Sequence, residues 1–305
     1  MSVRTKVDII RRRVKIPFET ARAPGWIPSR QDIETILNAV SFVFPPGEKF
    51  FIQSVQHYQD RITDPVLKEQ VKAFIFQEAM HSKEHARANA KLAESFPQGP
   101  EIDKGVALAM ARLTRYAPRS TQLAITCALE HFTAILSHDL LHWQEGFIAK
   151  SDPAFAAMWL WHAVEEAEHK AVCFDVYQTV CGKGVFSYLH RIAAMLLATL
   201  MFAFVAFISV RMLRKDAKAP VADNKSEADP AAGQADAPSG QRGPSGALQV
   251  LRETVPLRLY FDYFRPSFHP WDSDDSDVIA EWKRRYKDFP AISELAHAAP
   301  GNAKA

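Results

Sequence analysis

Apolar positions recur at helical spacing from residue 30 to residue 214, and clear strand alternation appears nowhere in this stretch. Capping residues followed by proline mark helix starts, as in Thr63-Asp64-Pro65 and Ser151-Asp152-Pro153. The chain is therefore predicted to be all-α, with long helices joined by short turns. The predicted helices run from Ser29 to about Val43, from Glu48 after Pro45-Pro46, from Thr63 to about Glu94, from about Lys104 to Tyr116, from Pro118 to about Ala149 and from Ser151 to about Cys181.

A longer apolar run follows these helices. Residues Ile192 to Val210 carry no charge and are bracketed by Arg191 and Arg211. A bilayer core needs about 20 apolar residues, so this 19-residue run is a transmembrane candidate at the lower edge of the required length. A fully buried fifth helix of the bundle is the alternative. The uninterrupted run and its basic brackets favour the membrane, which would attach a cytoplasmic domain to the inner membrane.

Composition divides the chain into five segments. Residues 216–247 are rich in Ala, Pro, Gly, Ser and Asp and have little to bury, which predicts a disordered linker. Aromatic residues return after it, and we expect that segment to pack on the bundle or on the membrane. The predicted organisation is an N-terminal arm at 1–29, a helical bundle at 30–184, the apolar helix at 185–215, the linker at 216–247 and the aromatic C-terminal segment at 248–305.

Charge and composition exclude several classes of function. A net charge of +2 is too balanced to indicate a nucleic-acid-binding surface. The 12 glycines form no GxGxxG or GxxxxGK[ST] motif, so no nucleotide-phosphate loop is expected. The three cysteines form no CxxC pair and predict reduced thiols. The N-terminus is not typical of a secretory signal peptide, and its Arg11-Arg12-Arg13 cluster fits either a solvated basic edge or a contact with anionic lipid.

Two Glu-x-x-His units carry the candidate chemistry. They are Glu78 with His81 and Glu166 with His169. Residues three apart share one face of a helix, so each unit directs a carboxylate and an imidazole to one place. A third unit, at residues 294–297, lies in the tail and is interpreted as accidental.

Two further glutamates complete a pattern across four helices. Glu48 and Glu130 lie in the apolar stretches GEKFFI and CALEHF, where an unpaired carboxylate would be costly to bury. Four-helix bundles of the ferritin-like class bind two metal ions with one Glu from each of two helices and a Glu-x-x-His unit from each of the other two. This pattern predicts a ferritin-like bundle with two iron ions. Manganese or a mixed iron–manganese pair is the alternative, and zinc suits the donors less well.

A seventh ligand is predicted from the spacing around the second unit. His162 precedes Glu166 by four residues and therefore lies on the same helical face. His85 stands four residues beyond His81 in the same manner, as a ligand or as a hydrogen-bond partner of one. Glu165 and Glu168 are expected to face solvent or to support the ligands from outside.

The motifs also resemble known families. The segments FVFPPGEKFF, QEAMHSKEH, LEHFTA, WHAVEEAEHKAVCFDVY and YFRPSFHPWD together resemble a bacterial family labelled predicted metal-dependent hydrolase, which implies a metal site and a hydrolytic reaction. The ligand pattern is similar to that of the di-iron arylamine N-oxygenases. That resemblance implies as ligands Glu48, Glu78, His81, Glu130, His162, Glu166 and His169.

Three functions follow as hypotheses. The first is an oxidoreductase that activates O2 at a di-iron centre, acts on a small hydrophobic or aromatic substrate and uses an electron donor. The second is a hydrolase in which two metal ions activate a water molecule. The third is a non-catalytic metal-binding membrane protein. Membrane lipid and a second copy of the chain are expected partners, whereas nucleic acid is not.

Overall fold

Helices account for all the regular secondary structure in the computed structural model, which describes residues 6–216 and 257–286. The all-α prediction is confirmed over these ranges. Short 3-10 turns lie at Phe18–Thr20, Gln59–Arg61 and Pro270–Asp272. The α-helices are α1 (Gln31–Gln56), α2 (Pro65–Ala93), α3 (Gly99–Tyr116), α4 (Arg119–His142), α5 (Gln144–Lys150), α6 (Pro153–His169), α7 (Val172–Cys181), α8 (Val185–Asp216), α9 (Leu257–Asp262) and α10 (Ser276–Tyr286).

Helices α1, α2, α4 and α6 form a four-helix bundle and enclose its interior. α1 packs on α2 and α4 packs on α6, while α1 with α4 and α2 with α6 form the other two contacts of the bundle. α7 continues the chain after α6 and packs on α2 and α4. α3 and α8 lie outside, against α1 and α4. The four inner helices are those that carry the predicted metal ligands.

The starts of α2 and α6 follow the capping signals in the sequence, whereas α1 begins after Arg30 rather than at the predicted cap Ser29 and has no side-chain cap. The Asp64 carboxylate accepts hydrogen bonds from the backbone N–H groups of Val66 and Leu67, and Asp152 accepts one from Ala154. Two predicted helices are shorter than expected. The helix that opens at Pro118 ends at His142, and the one that opens at Ser151 ends at His169, each being followed by a separate helix. Neither break carries a proline or glycine signal in the sequence.

The predicted restart at Pro45-Pro46 is wrong, because α1 runs through both prolines without interruption. A proline has no N–H, so a helix that continues through it leaves a carbonyl four residues earlier without its usual partner. That carbonyl, on Ser41, instead accepts a hydrogen bond from the Asn89 side-chain amide of α2 at 2.9 Å. The Ser82 hydroxyl donates to the Pro45 carbonyl at 3.2 Å. Helix α2 therefore supplies the donor that replaces the missing N–H of Pro45, and α1 carries Glu48 on a continuous helix.

The N-terminal arm lies against the bundle as an extended segment. Its side chains alternate between exposed and buried, and Arg12, Val14, Ile16 and Phe18 are the buried ones. The backbone N–H of Ile16 donates to the Glu84 carboxylate of α2. A solvated edge and a lipid contact are therefore both wrong for Arg12, which is 7% exposed.

Helix α8 and the C-terminal segment cover the outside of the bundle. α8 packs lengthwise on α1, α3 and α4 through residues such as Ala194, Met195 and Ala198. Its other face is exposed, so it is not the fully buried fifth helix of the alternative prediction. In the C-terminal segment, Tyr263 and Phe268 are buried in a cluster that includes Met195 and Ala198. The predicted linker, apart from Asp216, and the Glu-x-x-His unit at 294–297 lie outside the described residues.

Candidate metal centre

The structure brings all seven predicted ligand residues together in the interior of the bundle. Each exposes at most 3% of its surface. Their donor atoms fall into overlapping groups within 4.8 Å of one another: Glu48 with Glu78 and His81, Glu78 with Glu166 and His169, and His81 with His162 and Glu166. Glu130 joins the cluster through a 3.4 Å approach of its Oε2 to His169 Nε2.

Several atoms of this cluster have no hydrogen-bond partner in the described protein. They are both carboxylate oxygens of Glu48, Glu78 and Glu130, together with His81 Nδ1 and His169 Nε2. A buried polar atom without a partner is costly, and six such oxygens in one place repel one another. A bound cation would satisfy all eight atoms. The residues present therefore fit a metal site on the chemistry of their donors alone.

The outer nitrogens of two histidines show which atom faces the cluster. His81 Nε2 lies 3.0 Å from Glu165 Oε2, so Nε2–H donates to that carboxylate and the Nδ1 lone pair points inward. Gln77 uses its amide N–H groups on the Ile10 carbonyl and on Glu168, so its oxygen must accept from His169 Nδ1–H at 2.9 Å. His169 Nε2 then faces Glu78 Oε1 at 3.2 Å. Carboxylates and amides that orient ligating imidazoles in this way are usual around protein metal sites.

The groups behind His81 and His169 both connect to Arg12 of the N-terminal arm. Glu165 bonds His81 directly, and Glu168 bonds Gln77, the partner of His169. The Arg12 guanidinium donates to Glu165 Oε1 at 3.0 Å and to both oxygens of Glu168, at 3.0 and 2.6 Å. Lys283 lies 3.0 Å from Glu168 as well. Glu165 and Glu168 are buried. The prediction that they face solvent is therefore wrong, and the alternative, that they support the ligand residues from outside, agrees with their positions. Sequence reasoning does not find Arg12 or Gln77; the alternation of buried residues in the arm is the signal that could have indicated Arg12.

A further chain of hydrogen bonds, which begins at Ser41, indicates which ring nitrogens of His85 and His162 carry a proton. The Ser41 hydroxyl donates to Asn89 Oδ1 at 2.6 Å, so it must accept from His85 Nδ1–H at 2.8 Å. The neutral His85 then accepts at Nε2 from His162 Nδ1–H at 2.7 Å. His162 Nε2 consequently carries a lone pair 3.0 Å from Glu166 Oε1. Two acceptors that face each other at this distance indicate a place for a cation.

Burial and mutual repulsion shift the ionisation of the cluster. Burial, followed by the charge of Glu166, raises the pKa of Glu130 to about 7, and burial with neighbouring carboxylates raises the pKa values of Glu48 and Glu78 well above the ordinary value. Burial lowers the pKa of His162 to about 4. Burial would also lower the pKa of His169, but Glu166 and Glu130 outweigh it and raise that pKa to about 10. Without a metal, a proton on His169 therefore offsets part of the negative charge, and a metal would replace that proton.

Other features of the molecule lie apart from the cluster. A surface pocket of about 350 Å3 lies between α7, the start of α8 and residues 266–269, and shares no residue with the predicted ligands. His138 and Lys170 hold the Asp275 carboxylate, each at 2.5 Å, and so attach the C-terminal segment to the bundle. Among these features of the described residues, the buried cluster combines metal-ligating donors with polar atoms that have no hydrogen-bond partner. The cluster is therefore the candidate functional site.

The fold and the cluster define an all-α protein with a buried group of potential metal ligands. The chain belongs to the family described as predicted metal-dependent hydrolase, whose sequence model matches residues 10–274. That range includes every residue of the cluster and Arg12. No curated protein and no solved structure matches the chain. The resemblance to di-iron arylamine N-oxygenases therefore finds no support in the comparisons, and the family description favours the hydrolase hypothesis.

Proposed function

We propose that this protein is a metal-dependent hydrolase with two metal ions held in the bundle interior. The observation that carries the proposal is the set of inward ring nitrogens on His81, His162 and His169, each facing a carboxylate oxygen. Hydrogen bonds from outside orient these imidazole rings, so the donor atoms already lie together, and a metal ion would replace the proton on His169. The proposed ligands are Glu48, Glu78, His81, Glu130, His162, Glu166 and His169.

The overlap of the ligand groups suggests how two ions would share these residues. Glu78 belongs to one group with His81 and to another with His169, and Glu166 does the same. Carboxylates that belong to both groups are suited to bridge two ions. Four carboxylates and three imidazoles without a thiolate favour iron or manganese, and zinc is compatible with the same donors.

Two bound metal ions would lower the pKa of a water molecule and polarise a carbonyl or phosphoryl oxygen. Neighbouring residues of the chain hold the outer ring protons of the three proposed histidine ligands. Glu165 keeps a proton on His81 Nε2, Gln77 keeps one on His169 Nδ1, and His85 keeps one on His162 Nδ1. The apolar rings of Phe44 and Phe74, which pack on His162 and His169, exclude bulk water from these hydrogen bonds.

The proposal is tested by comparing metal forms of one protein preparation. Protein stripped with a chelator and reloaded with Zn2+ or Mn2+ should hydrolyse activated esters or phosphate esters, and Glu78→Ala should lose both the metal and the activity. Glu69→Ala, which removes an exposed glutamate on the same helix, is the matched control. Metal-loaded protein that leaves a broad ester and phosphate panel intact would contradict the proposal.

An O2-activating oxidoreductase is the second candidate, and the burial of the centre favours it. Ligands that are at most 3% exposed admit a diatomic gas more readily than an ester. The same preparation distinguishes the two functions, because only a redox-active metal supports oxygen chemistry. Rapid O2 consumption by the Fe2+ form, with zinc-loaded protein inert toward esters, would establish this second function and displace the first.

A further inference from the structure

The exposed face of α8 is a continuous apolar stripe. It consists of Phe186, Leu189, Leu196, Leu200, Phe204 and Phe207, which recur every three to seven residues and are between 51% and 89% exposed. At about 1.5 Å per residue the stripe is roughly 32 Å long. A stripe of this length on a protein surface marks an interaction site rather than scattered exposure.

Exposed cations border this stripe at both ends. Lys183 precedes it by one turn, and Arg211, Arg214 and Lys215 follow it on the same side of the helix. Between residues 192 and 210 the helix carries no charge. The partner of this surface must therefore be apolar along its middle and favourable to positive charge at both ends.

A second copy of the chain meets the first requirement but not the second. A two-fold interface brings each residue against itself or, in the antiparallel arrangement, brings one end against the other. Both arrangements place the Lys183 end or the Arg211 end against another cationic end. Like charges across an interface oppose association. An anionic lipid surface has an apolar interior and negative headgroups, and it satisfies both requirements.

The contacts between α8 and the bundle limit the orientation that the helix can take at a lipid surface. The Asp216 carboxylate accepts hydrogen bonds from the backbone and side chain of Gln98 at one end, and the Tyr177 hydroxyl donates to the Ser187 carbonyl at the other. The helix is thus fixed to the bundle along its whole length. A bilayer-spanning orientation would carry α3, which packs against α8 and exposes Lys104 and Arg112, into the hydrocarbon.

We propose that the stripe on α8 binds an anionic bilayer in the plane of its surface, with the bundle resting on the membrane and no segment of α8 crossing it. The apolar residues would enter the boundary between headgroups and acyl chains. The terminal cations would remain among the headgroups.

Flotation of the full-length protein with vesicles tests this surface. Binding should be several-fold stronger to vesicles of phosphatidylcholine with phosphatidylglycerol than to phosphatidylcholine alone, and salt should weaken it. Leu200→Asp with Phe204→Asp should reduce binding at least ten-fold, and Arg211→Glu with Arg214→Glu should remove the preference for the anionic lipid. Val66→Asp, which changes an exposed apolar residue on α2, is the control and should bind like the unchanged protein. Equal melting temperatures would show that the variants fold.

Two measurements separate the alternatives. Sedimentation that finds a dimer, converted to monomer by Leu200→Asp, together with no vesicle binding, would assign the stripe to a second copy and overturn the proposal. For orientation, Lys183→Cys and Lys215→Cys in a Cys181→Ser background should react equally with a membrane-impermeant maleimide added to one side of sealed membranes. Labelling of only one end until the membrane is permeabilised would show that α8 spans the bilayer and would also overturn the proposal.

Discussion

Helices α6 and α8 reverse the usual relation between hydrophobicity and burial. In α6 every residue from Ala154 to His169 is buried, although the helix contains three glutamates and two histidines. α8 has the longest uncharged run of the chain, yet one face of it is open. The difference lies in partners: each glutamate and histidine of α6 meets a donor, an acceptor or the proposed cation site. Burial in this protein therefore follows from complementary groups, since charged residues are buried only where others satisfy them.

The strongest test of this comparison removes a charge from the buried interior of α6 and adds one to the open face of α8. Glu166→Ala should abolish most metal binding, because Glu166 belongs to two ligand groups and lies beside His162 and His169. Leu200→Asp, which adds a charge to the open face of α8, should leave the metal content unchanged. Metal analysis of the purified proteins by mass spectrometry measures both. A Glu166→Ala protein that retains two ions per chain would refute the site assignment.

The second test concerns the support that reaches α6 from the N-terminal arm. Arg12→Ala would leave Glu165 and Glu168 buried with less compensating charge, and loss of one partner of a buried pair costs about 3–5 kcal/mol. Metal affinity should fall about 10–100-fold, because His81 and His169 would lose the network that orients them. Arg12→Lys should restore only part of the affinity, since an ammonium cannot donate to both carboxylates with a planar fork.

Competition with a chelator measures the affinity, and thermal unfolding of the metal-free protein measures the stability. Arg13→Ala is the matched control, because Arg13 is the neighbouring exposed arginine and contacts Phe76 rather than a carboxylate. Unchanged affinity in Arg12→Ala would show that the histidines hold their orientation without the arm.

The sequence predicts which candidate ligand residues come together because helical spacing is a local rule. Glu78 and His81, or Glu166 and His169, share a face wherever the helix goes, and apolar surroundings make Glu48 and Glu130 conspicuous. The structure brings these six residues and His162 into one cluster.

Arg12 is different, since its partners lie 153 and 156 residues away and its own segment has no helical period. Long-range pairing of this kind depends on the tertiary fold. The same limit applies to α1, where Pro45-Pro46 predicts a break by local chemistry. Asn89 on another helix donates to the Ser41 carbonyl, which Pro45 leaves without its usual partner, and α1 continues. Nor does an uncharged run identify which of its faces will pack, so the open stripe of α8 emerges only from the structure.

The smallest expected effect belongs to Ser41, which controls the site through two histidines. Ser41→Ala removes the acceptor of His85 Nδ1–H, so His85 can carry its proton on Nε2 instead. That proton would face His162 Nδ1 and shift the His162 proton toward Nε2, where it opposes metal binding. Because one hydrogen bond contributes about 0.5–1.5 kcal/mol, metal affinity should fall about two- to thirteen-fold. Ser54→Ala is the matched control, as Ser54 is a buried serine of the same helix that bonds Thr126 and the Phe51 carbonyl instead. Chelator competition on the two variants gives the comparison. Equal affinities would show that the proton chain from Ser41 does not reach the site, and His85 would then have to be treated as a ligand in its own right.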